Sequence, residues 1–207
     1  MVLSHAHIDH SGNIPNLVKQ GFHGPIHATY ATEDICQAML LDSAKIQEED
    51  AKFLNKRGIG RPVQPLYTIP DAEFALTRFH TQAYDQPFQV TPNMTVRFGE
   101  AGHMLGSAWE HITLTEGEQK VNLVFSGDLG RFGTTILRDP APMPDADYLV
   151  IEGTYGGRTH APLDDVLPDL KDAIMRVMRR GGKIVIPAFA VGRTQEIVYH
   201  LNHLVNT

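Results

Sequence analysis

The sequence predicts a layered α/β fold, and three observations carry that expectation. Short apolar or alternating segments recur along the chain and are intermixed with longer segments of helical period. Two of the alternating segments flank a turn sequence and read as a hairpin. Side chains able to bind metal gather where the strand-like segments stop, the usual place for a functional loop on a rigid scaffold.

In chain order, Val2-Leu3 is a short apolar piece that runs into a polar loop. Residues 13–30 read as a helix start, a Gly-rich turn and a short strand, Pro25-Ile26-His27-Ala28. From Glu33 to Lys56 the apolar residues Ile35, Met39, Leu40, Ile46, Phe53 and Leu54 recur near the helical period. Two helices or one kinked helix fit them. Gly58-Ile59-Gly60-Arg61-Pro62 ends that stretch, and the Pro-rich residues 61–70 read as an extended surface segment. Asp71 reads as the N-cap of a short helix reaching Phe79. The stretch from Phe88 to Asp128 is strand-rich: Thr95–Phe98 alternates, and Ala108–Leu114 and Lys120–Phe125 form the expected hairpin around Thr115-Glu116-Gly117-Glu118. Tyr148–Ile151 is a short apolar strand. Leu163–Arg180 has Val166, Leu167, Leu170, Ile174, Val177 and Met178 on one face and reads as a helix stopped by Gly181-Gly182. Lys183–Ile186 reads as a buried strand, and Thr194–Leu204 as a final helix.

Composition bounds the function. The chain has 207 residues, 42% hydrophobic and 20% charged, the profile of an ordinary soluble protein with a sizeable core. No apolar run approaches the roughly 20 residues that span a bilayer, and no signal peptide is visible. The single cysteine, Cys36, excludes an internal disulfide and makes a reducing cytoplasm the expected compartment. Cys36 sits among Ile35, Met39 and Leu40 and reads as a small core residue rather than a nucleophile. A net charge of −6 argues against binding nucleic acid by bulk charge, although divalent cations at a site would reverse the local sign. The basic cluster Lys171, Arg176, Arg179, Arg180 and Lys183 fits either a phosphate-facing patch or the solvated end of a helix.

The densest chemistry is Ser4-His5-Ala6-His7-Ile8-Asp9-His10-Ser11-Gly12, three imidazoles and a carboxylate within six residues. Neutral imidazole and carboxylate are ligands for zinc and similar divalent ions. In an extended loop residues i and i+2 point the same way, so His5 and His7 can grip one ion. Asp9 and His10 then lie past the turn and can reach a second.

His-x-His-x-Asp-His resembles the signature loop of the metallo-β-lactamase-fold hydrolases. Gly102-His103-Met104-Leu105-Gly106-Ser107-Ala108 is similar to the motif that supplies a further metal-binding His in that fold. Phe125-Ser126-Gly127-Asp128-Leu129-Gly130-Arg131 is similar to the motif that supplies the bridging Asp. Glu152-Gly153-Thr154-Tyr155-Gly156 and Pro187-Ala188-Phe189-Ala190-Val191-Gly192-Arg193-Thr194-Gln195-Glu196 resemble segments of the β-CASP branch, which contains RNA- and DNA-processing nucleases. Gly153 departs from the Ser common there.

The resemblance implies a four-layer αβ/βα metallo-β-lactamase-type core over residues 1–178 and the start of a β-CASP domain over 179–207. The core is expected to lack its opening and closing strands, so the chain reads as an internal slice. The resemblance also implies two zinc ions. His5, His7 and His103 would hold one, and Asp9, His10 and the bridging Asp128 the other, which lacks its usual final His. His160, His200 and His203 sit in no matching motif, and His23, His27, His80 and His111 read as surface or packing residues. Asp9, Asp128 and Glu152 are the expected catalytic carboxylates, Asp9 orienting or accepting a proton from water and Glu152 acting through a neighbouring histidine. Arg193 fits either a substrate phosphate or a structural ion pair.

The implied activity is zinc-dependent phosphodiester hydrolysis with RNA as substrate. Hydrolysis of a lactam, lactone or thioester on the same centre is the alternative within enzymes, and a catalytically weak metal-binding module of a larger assembly is the alternative outside them. Uncovered apolar strands imply a homo-oligomer or association with the rest of a parent protein.

Overall fold

The computed structural model describes residues 1–58, 60–159 and 166–206. It is an α/β protein with two sheets. The smaller pairs β1 (Ile26–Thr29) parallel to β2 (Phe79–Gln82), with His27 opposite His80, and is extended by a bridge from Val2 to His27. The larger has the order β3 (Phe88–Thr91), β4 (Met94–Glu100), β5 (Ala108–Glu116), β6 (Gln119–Phe125), β7 (Tyr148–Val150). Its first four strands are antiparallel neighbours and β7 joins β6 in parallel.

The helices explain the main packing. Beyond the one-turn α1 (Ile8–Ser11), α2 (Ile14–Lys19), α3 (Tyr30–Arg57) and α4 (Ile69–Leu76) surround the small sheet. The stretch expected as two helices or one kinked helix is the single helix α3, which starts where the Thr29 hydroxyl caps the Thr32 N–H. It stops at Gly58, whose φ of +62° is the left-handed conformation that glycine adopts without strain. Asp71 is not the N-cap of α4. Thr68 caps that helix, and Asp71 lies three residues in and accepts from the Thr68 N–H at 2.9 Å, closing a capping box.

The larger core cluster buries Leu3, Ile14, Val18, Ile26, Cys36 and Leu40 between the small sheet and its helices. Burial pushes the Cys36 thiol up to about 12, which makes it inert packing. A second cluster, Val96, Phe98 and Ala108, lies under the large sheet. Trp109, 1% exposed, lies over Gly99 on the strand beside it, where a Cβ would fall 2.0 Å from the indole ring.

The hairpin is β5–β6, slightly longer than expected, and the alternation at Thr95–Phe98 lies within β4. Strand β2 fills a stretch that the sequence left between a helix and a strand-rich region. One expectation fails in the C-terminal quarter. Lys183–Ile186 forms no strand, and Ile184, Val185 and Ile186 are 43%, 89% and 43% exposed. β-Branched residues favour a strand only where another strand offers hydrogen bonds, and β7, with its three residues, ends the sheet. Helices α5 (Val166–Met178) and α6 (Arg193–Asn206) match the expected helical segments, but neither buries a residue. The expected start of the first of these at Leu163, and His160, lie outside the described residues. No described helix is long and apolar enough to cross a membrane.

Glu110 on β5 is a buried carboxyl, 5% exposed, and burial pushes it up to about 7 from an ordinary 4.5, with the nearby chain amino terminus opposing the shift. Between about pH 4.5 and 7 the folded state therefore holds a proton that the unfolded state has released. The contribution of this group is fully present below pH 4.5 and is lost as pH rises through 7. Glu110→Gln is expected to flatten the pH dependence of stability in that window, where one linked proton is worth about 1.4 kcal/mol per pH unit. The variant should gain on the wild type toward pH 8. Urea titrations at several pH values measure both slopes, and parallel curves would contradict the assignment.

Candidate metal centre

Three chain segments meet at the group of side chains His5, His7, His103 and Asp128. The first is the His5–His10 turn. The Ala108 N–H donates to the Ser4 carbonyl at 2.8 Å and ties this segment to the start of β5. Ser11 closes the turn by donating its hydroxyl to the Ala6 carbonyl at 2.8 Å. Ser4 lies beside His5, its Oγ 3.1 Å from Nδ1. With Nδ1 as donor to Ser4, the lone pair of His5 is on Nε2, which faces the centre.

The second segment is the 101–107 loop after β4. Ser107 is fully buried and its Oγ accepts from the N–H groups of His103 and Met104 at 3.0 and 3.1 Å. Glu100 accepts from the Gly102 N–H at 2.8 Å. The Gly106 carbonyl accepts from the hydroxyls of Thr29 and Thr32 at 2.6 and 2.9 Å, which fastens the loop to the start of α3. The third segment is the 126–130 loop after β6. The Gly130 N–H donates to the Ala101 carbonyl at 2.9 Å, and a Cβ on Gly130 would lie 1.7 Å from the Gly102 oxygen. Only glycine permits that approach of two backbones.

His5, His7, His103 and Asp128 each present one ligand atom, all within 4.8 Å of one another. His7 Nδ1 lies 3.0 Å from His103 Nε2. Asp128 Oδ2 lies 3.5 Å from His103 Nε2 and 3.9 Å from His5 Nε2. Two ligands on one ion with bonds of about 2.0–2.1 Å cannot be more than about 4 Å apart, and these three pairs meet that limit. His5 Nε2 is buried and has no hydrogen-bond partner. Burial, reinforced by the neighbouring imidazoles, drives His5 down to about 3, and burial also lowers His7 and His103. Three imidazoles held neutral, with converging lone pairs beside a carboxylate, are a donor set suited to zinc.

The other expected residues stand around this group. His10 Nε2 is 3.5 Å from Asp128 Oδ1, so Asp128 touches both His10 and the three-histidine group, and the His10 ring itself lies against His5. The Asp9 side chain is 77% exposed and 3.6 Å from His10. Glu152 grips the 126–130 loop: its Oε1 accepts from the Leu129 N–H at 2.7 Å, and its own N–H donates to Ser126 Oγ at 3.1 Å. Burial alone would push this carboxyl up, but donors from Leu129 and Thr154 and the nearby His103 hold it below the usual range. Its direct contact is the backbone beside Asp128, where the sequence suggested a histidine partner. Arg193 starts α6, and its exposed guanidinium is 3.7 Å from Glu196 Oε2. Neither His200 nor His203 on α6 belongs to the ligand group, His27 is buried beside Phe88, and His80 is exposed. Ser4, Ser107 and Ser126 carry the support of the ligands and were not singled out from sequence. Each stands within four residues of a ligand, the one signal available.

No family model matches the chain. It is 35% identical over 201 residues to ribonuclease TTHA0252 of Thermus thermophilus, which covers 97% of this chain and 42% of that protein. It is 33% identical over 215 aligned positions to transcription termination factor FttA of Methanocaldococcus jannaschii, covering 100% of this chain and 31% of that one. The factor of the same name from Pyrococcus abyssi is 33% identical over 203 residues, covering 96% of this chain and 29% of its own. The chain thus spans between about three and four tenths of the length of these relatives. The names of these relatives, the His and Asp group and the α/β sheets agree with the resemblance of the chain to metallo-β-lactamase-fold proteins of the β-CASP branch.

Proposed function

We propose that the chain carries the metal centre of a zinc-dependent phosphodiesterase that acts on RNA. The observation behind this reading is the convergence of His5, His7, His103 and Asp128 on one point, in a chain similar to a protein named as a ribonuclease. His5, His7 and His103 would hold one ion, and Asp128, reaching from that group to His10, would bridge to a second held with Asp9 and His10. Bound zinc supplies Lewis acidity and an activated water. Asp9, whose side chain is exposed beside His10, would orient water or accept a proton at its carboxylate. Glu152 keeps the Asp128 loop in place through the Leu129 N–H. Residues 179–207 belong, on this reading, to the start of a second domain.

The start of α6 supplies the phosphate contact. Gly192 lies beside His7, with 3.9 Å between the ring and the position of an added Cβ, so the positive end of this helix faces the centre. The Arg193–Glu196 pair is exposed, and such pairs are worth about 0–1 kcal/mol. A substrate phosphate can therefore recruit the guanidinium at little cost.

Two outcomes test the proposal. With zinc and labelled RNA, Asp128→Ala is expected to lower turnover by at least about a hundredfold, whereas His80→Ala should leave it within about twofold. Equal losses from the two changes would mean that the centre is misassigned. The second outcome concerns association. Tyr148, Leu149, Val150 and Ile151 are 63%, 57%, 48% and 55% exposed, and the apolar face of α5 is uncovered. Burying such surface stabilises by roughly 25 cal/mol per Å². Light scattering at micromolar concentration should show dimers or larger species, and a monodisperse 23.0 kDa species would contradict this.

A further inference from the structure

Val191 reaches the metal centre from the far end of the chain. Its side chain packs against the larger core cluster, and its backbone carbonyl is the nearby group that favours a proton on the His7 ring. His7 Nδ1 faces His103, so the nitrogen turned toward Val191 and Gly192 is Nε2. A carbonyl on that side favours the tautomer with the proton on Nε2 and the lone pair on Nδ1, aimed into the centre. A partner on the second nitrogen of a ligating histidine fixes its tautomer and ring orientation.

Apart from the Val191 side chain itself, packing does little to hold this stretch of backbone: residues 183–190 are exposed and α6 buries no residue. Side chains in the first turn of α6 hold it instead. Gln195 Oε1 accepts from the Gly192 N–H at 2.7 Å, and Gln195 Nε2 donates to the Ala190 carbonyl at 2.9 Å. Thr194 donates its hydroxyl to the Phe189 carbonyl at 2.6 Å. The two Gln195 bonds fall on either side of Val191.

We propose that Gln195 is a positioning residue for the metal centre: it fixes the Val191 carbonyl that orients His7, and so makes metal affinity depend on the first turn of α6. The inference rests on the metal-centre reading above. It has a reciprocal consequence, because coupling between two equilibria acts in both directions. Metal at His7 must stabilise the Ala190–Gln195 turn by the same factor that the turn contributes to affinity.

The test uses the full chain and zinc alone, with affinity measured by competition against a chromogenic chelator. Gln195→Ala is expected to weaken zinc binding about tenfold, the lower end for partners of a metal-binding His. Gln195→Glu keeps the acceptor for Gly192 and loses the donor to Ala190, so its affinity should fall between the two. Asn202→Ala, which removes the side-chain oxygen that accepts from the Asn206 amide at the other end of α6, should bind as the wild type does. Hydrogen exchange supplies the second readout: zinc should slow the amides of Gly192 and Arg193 in the wild type and not in Gln195→Ala. Affinity of Gln195→Ala within twofold of wild type, or an equal loss in Asn202→Ala, overturns the proposal. A wild-type chain that binds no zinc overturns it together with the metal-centre reading. RNA cleavage is not read, so the outcome is separate from the nuclease assignment.

Discussion

The contact of two backbones at Gly102 and Gly130 is the constraint on which the centre depends. His103 and Asp128 belong to different strand connections, and their loops touch with no side chain between them. A methyl group on Gly130 would need the space that the Gly102 carbonyl fills. Gly102 and Gly127 also have φ values of +67° and +53°, in the left-handed region. The glycines thus set the separation of two ligands, and the sheet sets only the direction from which each arrives. The Ser4–Ala108 hydrogen bond then brings the His5 segment to the same strand end. Everything else at the site adjusts the tautomer or charge of groups that these contacts have already brought together.

The charge arrangement follows from the same crowding. Four imidazoles, His5, His7, His10 and His103, have ring centroids as close as 4.1 Å. Protonating several of them in so small a volume is unfavourable, and burial adds to the cost for His5. Asp128 is the compensating negative group, within 4 Å of three of these rings. The centre is held ready for a cation by excluding the protons that would compete for the same lone pairs.

The four residues that converge in the fold, His5, His7, His103 and Asp128, were legible because their chemistry is local in sequence. Three His and one Asp within six residues are informative before any fold is known, and His103 and Asp128 stand in short glycine-bounded motifs. The helices and the β5–β6 hairpin were legible because each satisfies its backbone within itself or with its neighbour. What the sequence hid is non-local. Strand β2 exists because it pairs with β1, some 50 residues earlier. Lys183–Ile186 has the residues of a strand and no partner strand among those described. Glu152 was read from the sequence as an acidic site residue, and its grip on the Leu129 N–H, which the sequence did not show, depends on β7 lying parallel to β6. The Val191 carbonyl has no side-chain signature at all. Asp71 shows the smaller kind of error: both positions of a capping box are polar, and the sequence alone favours the wrong one as the cap.

The distance along the chain between His7 and His103 is 96 residues. Closing a loop of that length costs roughly 4 kcal/mol of chain entropy before any contact forms. His5, His7 and His10, by contrast, are neighbours in the unfolded chain. The two halves of the centre therefore become available at different stages of folding. The amino-terminal turn can capture a cation as soon as it is synthesised, while His103 and Asp128 arrive only after the β4–β5–β6 meander has formed. On the metal-centre reading proposed above, metal supply during folding would then affect how the two halves come together.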